Sequence, residues 1–140
     1  MDPVCCTDPR VVLGRLDRGD DLLEGLLGAC AAAGVRTGAI LGIGALERAH
    51  LGWYDPVAQV YEERTFEGPL EVVSCLGNLS ERDTSPFVHL HLAVAGRDLA
   101  VRGGHALPGC RVFALEFTLV ALDRIQLVRK LDPLTGLMLW

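Results

Sequence analysis

The sequence predicts an α+β domain: a mostly antiparallel, partly closed β-sheet with one main amphipathic helix at residues 20–33. Three observations predict it. Apolar residues recur at helical spacing in one segment, Leu22, Leu23, Leu26, Leu27 and Cys30. After Gly34 the period drops to two, in runs separated by turn residues. The 140 residues suit one domain, 1–140, and can bury a core without disulfide staples.

The elements follow in order. Val11–Leu16 is a short β-type run. Asp20 is the expected N-cap of the helix, with Glu24 near the capping-box position, and Gly34 supplies the stop. Gly38–Leu46 is apolar and glycine-rich, a buried strand that other backbone approaches closely. Arg48–Tyr54 alternates and ends at the Asp55-Pro56 turn. Val57–Phe66 reads as a polar edge strand, Leu70–Leu76 as a further strand, and Ser80–Pro86 as a polar loop. Phe87–Ala95, Leu99–His105, Val112–Leu122 and Ile125–Leu131 complete the strands. Residues 1–9 are expected to be flexible, and 132–140 form an apolar tail that a monomer would expose and a subunit interface could cover.

Half the residues are apolar and the mean hydropathy is +0.31. Uncharged runs such as Thr37–Leu46 fall well short of the roughly 18 residues of a membrane span. The apolar surplus therefore belongs in a core, or in a core plus a subunit interface. A net charge of −5 argues against direct nucleic-acid binding, which needs clustered Lys and Arg. The N-terminus has neither a basic region nor an apolar one, so a cytoplasmic location is expected. Five cysteines, with no C-x-x-C pair, suggest neither a disulfide framework nor a zinc ribbon. Cys30, Cys75 and Cys110 read as small hydrophobes, and Cys5-Cys6 has no assigned role.

The chemistry-bearing signal is Phe87-Val88-His89-Leu90-His91 followed by Gly103-Gly104-His105. Residues two apart on a strand share a face, so His89 and His91 lie together and Val88, Leu90 and Leu92 pack behind them. Two imidazoles at this spacing and a third from the next strand can hold a divalent transition metal, zinc first, with one position open. Hairpin register tests this. A two-residue loop at Gly96-Arg97 puts His105 on the wrong face; a three-residue loop, or a bulge at Gly103-Gly104, puts it opposite His89. The metal reading therefore requires one of these two. His50, on another strand, reads as structural. Glu71, in the apolar context Leu70-Glu71-Val72-Val73, is a weak catalytic candidate: a fourth ligand, a general base or an ion-pair partner of an arginine. Gly42-Ile43-Gly44 lacks the helix and Lys-Ser/Thr of a phosphate loop. Trp53-Tyr54 reads as core or interface packing.

These residues resemble the PPC domain, the plant and prokaryote conserved domain. The matching stretches run in family order: Arg15–Leu23, Gly42–Leu46, Leu51–Asp55, Pro69–Asn78, Pro86–His91 and Gly103–His105. The tail Leu131–Leu137 is similar to that of bacterial stand-alone members. The resemblance implies a compact homotrimer whose His89, His91 and His105 form the family's histidine cluster, a metal site in some prokaryotic members. The pattern is also similar to acetolactate decarboxylase, a zinc enzyme of related fold in which a glutamate assists; by that analogy the helper here is Glu71. Plant members carry AT-hooks with an Arg-Gly-Arg-Pro core, absent here, which puts the family's DNA-binding label in doubt. Their Gly-Arg-Phe-Glu-Ile-Leu partner segment reads Gly68-Pro69-Leu70-Glu71-Val72-Val73 here, so that partner function does not transfer either.

Three functions are weighed. The first is a trimeric metal-binding module of regulatory or partner-binding role, supported by the resemblance and by the incomplete catalytic set. The second is a small metal-dependent lyase or decarboxylase acting on a small oxo-acid, supported by the open coordination position. The third, a DNA-associated protein acting without an AT-hook, meets the repulsion of an acidic chain for phosphate.

Overall fold

The computed structural model describes residues 8–140, so Cys5-Cys6 and most of the 1–9 segment lie outside the described residues. The strands are β1 (Arg10–Leu16), β2 (Gly38–Asp55), β3 (Val60–Arg82), β4 (Ser85–Ala95), β5 (Val101–Ala106), β6 (Arg111–Ala121), β7 (Val128–Leu131) and β8 (Met138–Leu139). The single helix among the described residues is α1 (Leu22–Ala32). Hydrogen-bonded neighbours run β1-β6-β2-β5-β4-β3-β7-β8, and β2 also pairs with β3. That extra pairing closes β2, β5, β4 and β3 into a four-stranded barrel.

This corrects the α+β expectation. Strands hold 62% of the described residues and helix 8%, so the fold is mostly β, with a closed barrel and one short helix rather than a main helical layer. The physical reason is that runs read as separate short strands are continuous. Gly38–Leu46 and Arg48–Tyr54 merge into β2, whose register shifts at Gly42/Gly44 and Leu46/Arg48 let it bend between neighbours. Its first half is flanked by β3 and β6, and its second half by β3 and β5. Gly44 makes one bend possible: its φ is +147°, and a Cβ there would strike the Ala114 carbonyl. β3 likewise absorbs the expected Ser80–Pro86 loop, running to Arg82 and turning through Asp83-Thr84, both at positive φ, into β4.

α1, at Leu22–Ala32, is shorter than the expected 20–33; it buries Leu22, Leu26 and Cys30 on one stripe and leaves Leu23 and Leu27 only partly buried. Its cap is Asp21 rather than Asp20. One carboxylate oxygen of Asp21 accepts from Leu23 and Glu24 N–H, and the other from Gly109 N–H at 2.7 Å. Asp20 instead accepts from Asp17 N–H. Gly34 follows the helix at φ +65°, the left-handed stop its sequence position predicts. The core joins α1 to alternate strand residues, among them Ile40, Leu46, Leu79, Leu90, Val94, Leu115 and Leu119. Cys30, Cys75 and Cys110 are buried within it as free thiols. No helix among the described residues is long and apolar enough to cross a membrane.

Candidate metal centre

β4 alternates as its sequence predicts. Val88, Leu90, Leu92 and Val94 are buried in the core, and His89 and His91 point to the opposite face. The β4–β5 register pairs His91 with His105 and Ala95 with Val101. The loop between the strands is therefore Gly96–Ala100, five residues, without a bulge at Gly103-Gly104. Neither expected device operates, and His105 lies opposite His91 rather than His89. The loop is closed by Leu99 N–H donating to the Gly96 carbonyl and by Asp98 accepting from Ala100 N–H.

The three rings converge. Ring centroids are 5.1 Å apart for His89–His91, 5.0 Å for His89–His105 and 5.6 Å for His91–His105. Each residue offers a ligand nitrogen, and these nitrogens all lie within 4.8 Å of one another. Tyr61 stacks on His105 at 5.0 Å and 27°. Gly52, paired with His105 across β2–β5, leaves room for that ring: a Cβ at Gly52 would come 2.8 Å from Tyr61.

The donor set fits a metal. Burial, then His105, Arg129 and His91, hold the His89 imidazole down at about 4. Burial, then His91 and Arg129, also lower His105. Neutral rings keep the lone pairs that coordination needs. His105 Nδ1 is buried and has no hydrogen-bond partner, the one such side-chain atom among the described residues. A polar atom orphaned in this way costs stability unless a ligand satisfies it.

Glu71 is not brought to the triad. It is exposed, pairs with Ala95 four positions along β4 from His91, and lines a separate depression with Glu67 and Arg97. His50 is also apart: Nδ1 donates to the Pro108 carbonyl at 2.8 Å and Nε2 faces the Glu63 carboxylate at 3.0 Å. Trp53 is 61% exposed, whereas the Tyr54 hydroxyl donates to the Thr135 carbonyl at 2.7 Å.

Sequence reasoning missed Arg129. It comes from β7, is only 6% exposed, and borders a cavity of about 290 Å³ together with His89, His105, Tyr61 and Arg82. Burial, then Arg82, lower its pKa from the usual arginine value. The available signal was a lone arginine at the inward position of the alternating run Val128-Arg129-Lys130. A larger open groove of about 670 Å³, lined by Leu13, Leu41, Ile43, Val73 and Leu76, contains no histidine. His89 and His105 thus border the smaller cavity and not the groove.

Known proteins share this fold. A metal-containing protein from Archaeoglobus fulgidus is 34% identical, with a TM-score of 0.93 over 100% of this chain and 99% of that one. A plant- and prokaryote-conserved (PPC) protein from Pyrococcus horikoshii is 31% identical, with a TM-score of 0.92 over 100% and 96%. At 13% identity, α-acetolactate decarboxylase from Bacillus subtilis shares the fold alone; its TM-score is 0.56, over 84% of this chain and 54% of that one. No curated protein matches the chain. The family model for the Plants and Prokaryotes Conserved (PCC) domain matches residues 5–123, and the chain belongs to that family.

Proposed function

We propose that this protein is a metal-binding module that holds one divalent transition metal, zinc first, through His89, His91 and His105. We further propose that it works as a homotrimer in a regulatory or partner-binding role. The observation that carries the metal reading is the convergence of three half-buried or exposed imidazoles; His105 Nδ1 is in addition buried without a partner. The similarity to a metal-containing archaeal protein supports it. The trimer reading is supported by the apolar groove, where Leu13, Ile43, Val73 and Leu76 are each more than half exposed. Part of the tail expected at an interface instead forms β8 and lines the cavity, while Leu134 is 90% exposed.

When bound, zinc supplies a Lewis acid that polarises an oxygen ligand. This chain's own residues hold it, stack Tyr61 behind His105, and present Arg129 alongside. A cavity bordering the triad favours a second reading, a small metal-dependent lyase. That reading lacks an acid–base carboxylate among the described residues, since Glu71 lies elsewhere and no described Asp or Glu lines the cavity. A charge of −5 per chain disfavours direct DNA binding.

Metal content by mass spectrometry of tag-free protein tests the proposal, beside a variant with His89, His91 and His105 all changed to Ala. Near one transition metal per chain, lost in the variant, is expected. Equal metal in both, or none after zinc is added back, overturns the metal reading. Sedimentation equilibrium reads the trimer; a monomer at micromolar concentration overturns that part.

A further inference from the structure

We propose that the cavity beside the histidine triad binds a small organic carboxylate, recognised by Arg129 and assisted by Arg82. The argument starts from an unbalanced charge. Arg129 is buried, yet all its partners are neutral: Nε donates to Ser80 Oγ at 2.8 Å, Nη1 to the Met138 carbonyl at 2.9 Å, and Nη2 to Asn78 Oδ1 at 2.7 Å. Among the described residues no carboxylate pairs with it. A guanidinium has five N–H groups, so one remains on each terminal nitrogen. A buried cation without a counter-charge costs several kcal/mol, and an anion from solution removes that cost.

A second guanidinium stands nearby. Arg82 and Arg129 place their Cζ atoms 5.5 Å and 5.2 Å from the centre of the same Phe87 ring. The one ion-pair partner of Arg82 among the described residues is Asp83, at 3.5 Å on an exposed turn. Two cations thus border one cavity whose lining, among the described residues, contains no Asp or Glu. The hydroxyl-bearing rings of Tyr54 and Tyr61 complete its polar wall, and Phe87 and Leu137 give it an apolar one. At about 290 Å³ it lies at the small end of ligand cavities. The paired N–H groups suit the two coplanar oxygens of a carboxylate, and the apolar wall suits a short hydrocarbon chain.

The proposal does not rest on the metal. Arg129 lies beyond the family match, which ends at residue 123, and the β7–β8 segment supplies Arg129 and residues 136–139 to the cavity's lining. Its anchoring of Met138 gives Arg129 a structural role as well, so the test must separate the two.

Isothermal titration calorimetry on EDTA-treated protein, with malonate and pyruvate as probes, makes that separation. Saturable binding of at least one probe is expected, weakened about tenfold or more by Arg129→Lys, which keeps the charge and loses the fork. Arg82→Gln, on an exposed side chain whose one ion pair among the described residues is with the neighbouring Asp83, is expected to weaken binding by a smaller factor; Arg36→Gln, whose partner is Glu81, leaves it unchanged. Methyl pyruvate, which lacks the charge, is expected not to bind. No heat with either acid overturns the proposal, as does tighter binding of inorganic phosphate. Unchanged affinity in a folded Arg129→Lys variant overturns it too. If that variant does not fold, unchanged affinity in Arg82→Gln decides against the proposal. Because the protein is metal-free, binding here with no metal in the mass-spectrometric test defeats the metal reading alone.

Discussion

Replacing His105 by Phe separates a ligand from a packing residue. In metal-free protein, His105 Nδ1 is buried without a partner, a cost of about 1–3 kcal/mol. Phe removes that cost and keeps a ring against Tyr61, now 5.0 Å from His105. The larger ring is crowded by His89, also 5.0 Å away, and overpacking costs about 1–3 kcal/mol. The two effects oppose, so metal-free stability changes by no more than about 1–2 kcal/mol. Zinc behaves differently. At free zinc near 100 times its dissociation constant, a native-state ligand stabilises by about 2.7 kcal/mol. For a chain of this size that is a rise in Tm of roughly 8–11 °C, which the variant forfeits. Thermal unfolding of both proteins, with EDTA and with buffered zinc, reads all four states. The reasoning fails if wild-type Tm ignores zinc or if His105→Phe keeps the full shift. It also fails if the metal-free variant drops by as much as a core truncation, since His105 would then be packing.

Two further outcomes follow from the same geometry. Asp21→Ala removes two cap bonds and the bond from Gly109 N–H, and is expected to cost about 2–4 kcal/mol; Asp20→Ala loses one bond from Asp17 N–H and costs about 1 kcal/mol or less, both read by urea unfolding. In metal-free protein, His89 titrates at about 4 when folded and near its ordinary 6.5 when unfolded. The unfolded chain therefore takes up the proton first, so stability is fully present above pH about 6.5 and falls as pH drops toward 4. Half-burial limits the loss to about 1–2 kcal/mol. A urea midpoint that rises on acidification across this window contradicts the assignment.

Several of these features were legible in the sequence because local spacing determines them. Leu22, Leu26 and Cys30 define one helical stripe, and Val88, Leu90 and Leu92 leave His89 and His91 together. The cap was misplaced by one residue because Asp20 and Asp21 are equally good locally; the bond from Gly109, 88 residues away, selects Asp21. The α+β reading failed for a related reason. Bulges inside β2 and β3 look like strand ends, and the β2–β3 pairing that closes the barrel leaves no periodic mark. Glu71 attracted attention through apolar flanks, yet β3 turns it outward. Arg129 escaped because its partners Asn78 and Ser80 lie about fifty residues upstream. Local pattern thus located the ligands, while the charge beside them depends on long-range contacts.

The hairpin register shows which of those contacts decide the site. Any odd loop length keeps His105 on the face of His89 and His91; three residues would place it opposite His89, and five place it opposite His91. If the loop alone set the register, a glycine inserted between Arg97 and Asp98 would turn His105 to the core face. The barrel argues otherwise. β5 is held on its second edge by β2, through Leu51↔Ala106 and Gly52↔His105, and Leu107 N–H donates to the His50 carbonyl at 2.9 Å. Lengthening a five-residue loop by one costs only about 0.2 kcal/mol in closure entropy. Flipping β5 would bury an imidazole and expose Ala106, now 2% exposed. The insertion is therefore expected to bulge in the loop and leave the wild-type metal content intact. Loss of metal from a variant that still unfolds cooperatively would show that the loop, and not barrel closure, brings the three imidazoles together.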